Sequence, residues 1–255
     1  MKKNKMLGFR FFKGLLGIFF LIFFRPKIVG REKIPKDGGV ILAGNHRHIF
    51  DPCMPILSTK RPVHYMAKKE LFNSPIGWFF KVVGCIPVDR GHDNTDSKEA
   101  ALEVLREGEV LGIFPEGTRN KSLNGLLPFK YGAVSMSNKS GALIVPFAIT
   151  GKYRLFNNKL TVRFGEGFVA SDDLERANKR LVSEIEELIA ENTGKECKVR
   201  KVWERELFFL CYYIIGGSMK TTSVNSFDKT LKYKLYRTVY EIIHPTISKK
   251  NISSY

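Results

Sequence analysis

Six short apolar runs, most of them only three to five residues long and set off by turn residues, decide what the middle of this chain can become. They are Val40–Ala43, Val63–Ala67, Ile86–Val88, Val110–Phe114, Ala142–Thr150 and Leu160–Phe164. The first is entered from Asp37-Gly38-Gly39, a turn signal. Helical patterns interrupt the runs. Asp96 with Glu99 three residues later opens one helix, Ala100, Ala101, Val104 and Leu105 follow on one side, and Gly108 stops it. Asp172 with Glu175 opens another, whose Leu174, Ala177, Leu181, Ile185, Leu188 and Ile189 recur at helical period before Gly194. Near-continuous apolar strands separated by helices predict an α/β fold, a mostly parallel mixed sheet flanked by helices on both faces. Chemistry in such folds collects on the loops that follow the strands.

The ends of the chain differ from its middle. The formal charge is +17, but residues 37–195 contribute only +2, while residues 1–36 carry +9 and residues 196–255 carry +6. A nucleic-acid domain shows its basic stripe through the folded body, so no nucleic-acid partner is expected. Cations beside greasy segments suit an anionic lipid surface. Lys2, Lys3 and Lys5 precede Arg10 and Lys13, and eleven apolar or glycine residues then run from Gly14 to Phe24. That run spans about half a bilayer core as a helix, and no small-residue cleavage site follows it. Residues 1–27 are therefore read as an N-terminal membrane-interface helix, with a buried core helix as the alternative. Residues 28–195 form the folded domain, and residues 196–255 a basic C-terminal extension of unassigned role. No run reaches the length of a spanning helix, which excludes a polytopic membrane protein. Cys53, Cys85, Cys197 and Cys211 form no C-x-x-C pair, so reduced thiols on the cytoplasmic face of the membrane are expected, with no zinc ribbon.

Three loops at strand ends hold the polar residues that could carry chemistry. The first, Gly44-Asn45-His46-Arg47-His48-Ile49-Phe50-Asp51-Pro52, places a carboxylate five residues after an imidazole. Folded back across the turn, Asp51 can fix the tautomer of His46 and leave the other ring nitrogen as a general base. The competing reading has Asp51 capping a helix with Pro52 at its first position, and His46 a satisfied loop histidine. His48 makes an H-x-H pair, but the remaining His64, His92 and His244 are scattered, and no metal is expected. The second loop follows Ile86–Val88: Arg90 there can hold an oxyanion through bidentate bonds, or can pair with Asp89 or Asp93. The third is Phe114-Pro115-Glu116-Gly117-Thr118-Arg119, where Gly117 permits positive φ and Glu, Thr and Arg crowd one turn.

Taken together, NHRHIFD, GCIPVDR, FPEGTR and the later VPFAI resemble the four blocks of the glycerolipid acyltransferase family, in the same order and at similar spacing, over roughly Ile28 to Lys195. The closest member type is the 1-acyl-sn-glycerol-3-phosphate acyltransferase. The segment MAKKELF (Met66–Phe72) also resembles one that members carry between the first two blocks. The tail after Lys195 matches nothing in the family. The resemblance implies a direct transfer of a fatty acyl chain from a thioester of acyl-carrier protein or coenzyme A to the sn-2 hydroxyl of lysophosphatidate. It implies no cofactor. His46 and Asp51 would be catalytic. Arg90, Glu116, Gly117, Thr118 and Arg119 would position the glycerol phosphate, with Lys68 a further phosphate candidate. Two other readings stay open: another lysolipid or glycerol 3-phosphate as acceptor, and a non-catalytic peripheral adaptor that binds anionic lipid.

Overall fold

Period-two alternation along β2 (Val40–Gly44) builds the centre of the sheet. Val40 and Leu42 face one layer of helices, Ile41 and Ala43 face the other, and none of the four is more than 1% exposed. The computed structural model describes residues 3–75, 77–89, 95–121, 125–156 and 159–194. Among these, seven strands form one sheet. From one edge to the other it runs β1 (Lys27–Val29), β7 (Thr161–Phe164), β6 (Leu143–Thr150), β2, β5 (Val110–Ile113), β3 (Val63–Lys68) and β4 (Ile86–Val88). All neighbours are parallel except β6 with β7.

Six of these strands fall on the six apolar runs, and the expected mostly parallel α/β fold is the fold adopted. β1 carries no comparable signal. It is three residues long, begins with an exposed lysine, and exists because its backbone pairs with β7 at the sheet edge.

Helices cover both faces, as strands this apolar require. On one face α5 (Thr95–Arg106), α6 (Gly132–Ser140) and α7 (Leu174–Thr193) pack Ala101, Leu105, Val134, Leu181 and Ile185 against Ile41, Leu111 and Ile144. On the other, α2 (Cys53–Ser58) contributes Met54, and Phe20 and Phe24 come from the end of α1 (Lys3–Phe23) and the residue after it. The short α3 (Lys69–Phe72) and α4 (Gly77–Val82) lie between β3 and β4. Gly108 and Gly194 end α5 and α7 with positive φ, as expected. The cap of α7 is Asp173, whose carboxylate accepts from Arg176 N at 2.9 Å, not Asp172, which accepts from Asn138 instead.

α1 is longer than the apolar run and only partly docked. Phe9 and Phe20 are buried, and Phe12 meets Trp78 and Phe79 of α4 edge-on or tilted. Its Lys13 donates to the Thr59 carbonyl, and burial together with nearby Lys60 lowers the ammonium pKa. The opposite side stays in solvent: Phe11, Leu15, Ile18, Leu21 and Ile22 are each more than half exposed. Among the described residues, no helix is long and apolar enough to cross a membrane. The extension 196–255 lies outside the described residues, as does Arg90.

Candidate active site

β2, β5 and β6 are adjacent and parallel, so the loops at their C-terminal ends converge above one edge of the sheet. The chain leaves β2 toward α2 on one face and β5 toward α6 on the other. Connections that diverge to opposite faces open a crevice between the two strand ends, the usual position of a ligand site in such sheets.

Asp51 organises the β2 loop. Its side chain is 1% exposed, and Oδ2 accepts from Arg47 N and His48 N, each at 2.6 Å, and lies 2.9 Å from His46 Nδ1. Oδ1 accepts from the Tyr153 hydroxyl at 2.8 Å. Two backbone amides and a hydroxyl already donate to this group, which makes it a carboxylate that only accepts, so the ring nitrogen facing it, Nδ1, is assigned the proton and Nε2 is left as the proton acceptor. Asp51 does not cap α2. The capping position belongs to Pro52, with no side-chain bond to the helix, and the carboxylate turns back onto its own loop. The ring of His46 stacks on Phe114 at 4.2 Å, and Phe114 stacks on Tyr65 at 5.8 Å. Gly44 makes room beneath: a Cβ there would collide with the Phe147 ring, which packs edge-on to Phe114.

The β5 loop is fastened to the same histidine. Glu116, 4% exposed, accepts from His46 N through Oε1 at 2.8 Å, and from Asn120 Nδ2 and Leu127 N through Oε2 at 2.8 and 3.0 Å. Asn120 N donates in turn to the His46 carbonyl at 2.7 Å. Both backbone polar groups of His46 are thus held by the neighbouring loop. β6 holds the residue before it: Asn45 Nδ2 donates to the Ile149 carbonyl at 2.9 Å, and Asn45 Oδ1 accepts from Ile149 N at 2.7 Å. A rigid frame of this kind keeps a base in one orientation while substrates come and go.

The sequence profile of the family described as Acyltransferase matches residues 25–150, which include all three strands and the loops that follow β2 and β5. A 1-acyl-sn-glycerol-3-phosphate acyltransferase of Bacillus subtilis is 32% identical over 169 residues, 64% of this chain and 83% of the relative. The chain belongs to the acyltransferase family. A Borreliella burgdorferi protein of the same name is 35% identical over 144 residues, where the match spans 53% of this chain and 57% of that one. In fold, the chain is similar to the crystal structure of the 1-acyl-sn-glycerophosphate (LPA) acyltransferase of Thermotoga maritima, with a TM-score of 0.56 at 20% identity, covering 74% of this chain and 84% of that one.

In this acyltransferase, the site residues expected from sequence occupy one edge of the sheet, with one exception. His46, Asp51 and Glu116 are joined through direct bonds. Glu116 holds the protein's own loops: three protein donors take its two oxygens, a different use from gripping substrate hydroxyls. Gly117 has φ of 68°, and Lys130 lies over it where a Cβ would stand, so the turn needs glycine. Thr118 and Arg119 are exposed on the same turn, and Lys68 is exposed at the end of β3, next to β5. Arg90 is the exception, lying outside the described residues. His48 stacks on Tyr153 at 4.3 Å, and its Nδ1 accepts from Phe50 N. Among the described residues, no group of three potential metal ligands comes together.

Three site residues escaped the sequence reading. Asn45 opens the block NHRHIFD and Asn120 directly follows FPEGTR, so an amide in or beside these loops is a usable signal. Tyr153 stands 102 residues from Asp51 and gives none. Among the described residues, the Cys53 and Cys85 thiols are unsuited to attack on an acyl group. Burial, with Asp51 adding to it, pushes Cys53 up to about 12, and burial pushes Cys85 up to about 11.

Proposed function

We propose that this enzyme transfers a fatty acyl chain from a thioester, carried on acyl-carrier protein or coenzyme A, to the sn-2 hydroxyl of 1-acyl-sn-glycerol-3-phosphate, giving phosphatidate for phospholipid synthesis. The observation that carries the reading is the His46–Asp51 pair, with Nδ1 held at 2.9 Å from the carboxylate on a loop fixed by its neighbours on both sides. Nε2 removes the proton as the hydroxyl oxygen bonds to the thioester carbonyl carbon. The carbon–sulfur bond then breaks, and the imidazolium returns the proton to the departing thiolate. Asp51 steadies the transient imidazolium. No covalent acyl-enzyme is involved, in keeping with the protonated state of the half-buried Cys53 and Cys85 thiols. Arg119, Thr118 and Gly117 position the acceptor's phosphate, with Lys68 from the adjacent strand and Arg90 in the same role. The names of the Bacillus and Borreliella relatives support the choice of acceptor.

The exposed side of α1 supports a peripheral position on the cytoplasmic face of the membrane. Five large apolar side chains there need a non-aqueous partner, and the surplus of cations at the chain's ends suits anionic headgroups. The test is direct. Purified protein given lysophosphatidate and an acyl thioester should release free thiol and form phosphatidate in equal amounts. His46→Ala should abolish both while leaving the fold and vesicle binding unchanged. Transfer at the normal rate by that variant would remove His46 as the base.

A further inference from the structure

We propose that Tyr153 is a positioning residue for the His46–Asp51 pair, fixing the plane of the Asp51 carboxylate so that one oxygen stays on the imidazole through the proton transfer; this rests on the reading of His46 as the base. The division of labour at Asp51 motivates it. Oδ2 is occupied by His46 Nδ1 and two backbone amides, and the hydroxyl of Tyr153 is the donor to Oδ1. At 1% exposure, the carboxylate has little access to solvent to replace that donor. With the hydroxyl gone, the carboxylate is held through Oδ2 alone, its plane about Cβ–Cγ is fixed less tightly, and the imidazolium formed during transfer faces a less well-aligned counter-charge.

Tyr153 is itself held on several sides. Its ring stacks on His48 at 4.3 Å and meets Phe24 and Phe50 edge-on at 5.8 and 5.9 Å. Burial beside Asp51 raises its hydroxyl well above the ordinary phenol range, so it remains a donor. The loop that carries it is tied to the end of α1, where Phe156 N donates to the Phe23 carbonyl at 2.5 Å. The hydroxyl therefore acts from a braced ring. It touches the carboxylate and not the proton acceptor, so its contribution belongs in turnover and not in substrate affinity.

Tyr153→Phe in the full chain keeps the ring and its packing and removes one hydrogen bond to a charged group. Such a loss corresponds to about a tenfold fall in kcat. KM for lysophosphatidate and for the thioester should stay within about twofold. In the unliganded protein, nitrogen-15 spectra of labelled histidine should show His46 protonated at Nδ1 in the wild type. In the variant they should show a mixture of tautomers, or faster exchange of the Nδ1 proton. Tyr153→Leu, which also removes the ring, should lower the melting temperature as well as kcat. An unchanged kcat, a rise in KM alone, or an identical ring spectrum in Tyr153→Phe would overturn the assignment. Should the wild type fail to acylate lysophosphatidate, the functional reading falls, and the ring spectra still decide the role of Tyr153.

Discussion

Replacing Glu116 with glutamine separates a carboxylate that ties loops together from one that grips substrate. The two oxygens of Glu116 face different partners, Oε1 the amide of His46 and Oε2 both Asn120 Nδ2 and Leu127 N. An amide has one oxygen. It would turn that oxygen toward the side with two donors, leaving its NH2 against the His46 N–H. One hydrogen bond to a charged group is lost, about 1.5–3 kcal/mol, and the other two weaken. At 4% exposure, water cannot easily restore the missing acceptor, so a total destabilisation of about 2–3 kcal/mol follows. For a domain of this size that corresponds to a melting temperature roughly 5–10 °C lower. Because the loosened amide belongs to the base itself, kcat should fall about tenfold or more. Thermal unfolding followed by circular dichroism, paired with initial rates at saturating acceptor, measures both effects. A variant with wild-type stability and turnover, altered only in KM for lysophosphatidate, would refute the loop-tie reasoning and return Glu116 to the substrate.

Three further outcomes are expected. Arg119→Ala removes an exposed cation from the turn that carries Glu116, so KM for the phosphorylated acceptor should rise by roughly tenfold or more with little change in melting temperature; an unchanged KM counts against a phosphate role. Burial holds the Cys53 and Cys85 thiols at about 12 and 11, so their thiolate fraction at pH 8 is about 1 in 10⁴ and 1 in 10³, against about 1 in 10 for an unshifted thiol at 9.0. Peptides containing them should resist iodoacetamide at pH 8 and react about ten times faster per added pH unit while the fold survives; rapid labelling at pH 8 would contradict the desolvation that raises them. Leu15→Glu with Ile18→Glu acts on the exposed side of α1, where the residues are 58% and 61% exposed. Each such side chain withdrawn into lipid is worth about 1.5–3 kcal/mol, so sedimentation with anionic vesicles should weaken by about a hundredfold or more at unchanged melting temperature. Undiminished vesicle binding would turn the lipid contact elsewhere.

Much of this protein is local chemistry, and local chemistry is legible in order along the chain. The apolar runs that became β2, β3, β4, β5, β6 and β7 needed only backbone periodicity and the burial of both faces to be read. The contact between His46 and Asp51 spans five residues of one turn, so a folded loop alone could bring them together. Even there the sequence left two uses open for Asp51, and the backbone path chose between them by aiming the carboxylate at Arg47 N and His48 N instead of at α2. The bonds that join one loop or strand of the site to another connect residues 70 to 104 positions apart: Glu116 to His46, Tyr153 to Asp51, Asn45 to Ile149. No periodicity encodes such pairings. They follow from the order β6-β2-β5, which sets three distant loops side by side. Strand order also fixed the edge, where β1 was recruited by β7 and β7 runs antiparallel to β6. The His46–Asp51 pair was therefore written in the sequence, and the frame that holds it came from the sheet.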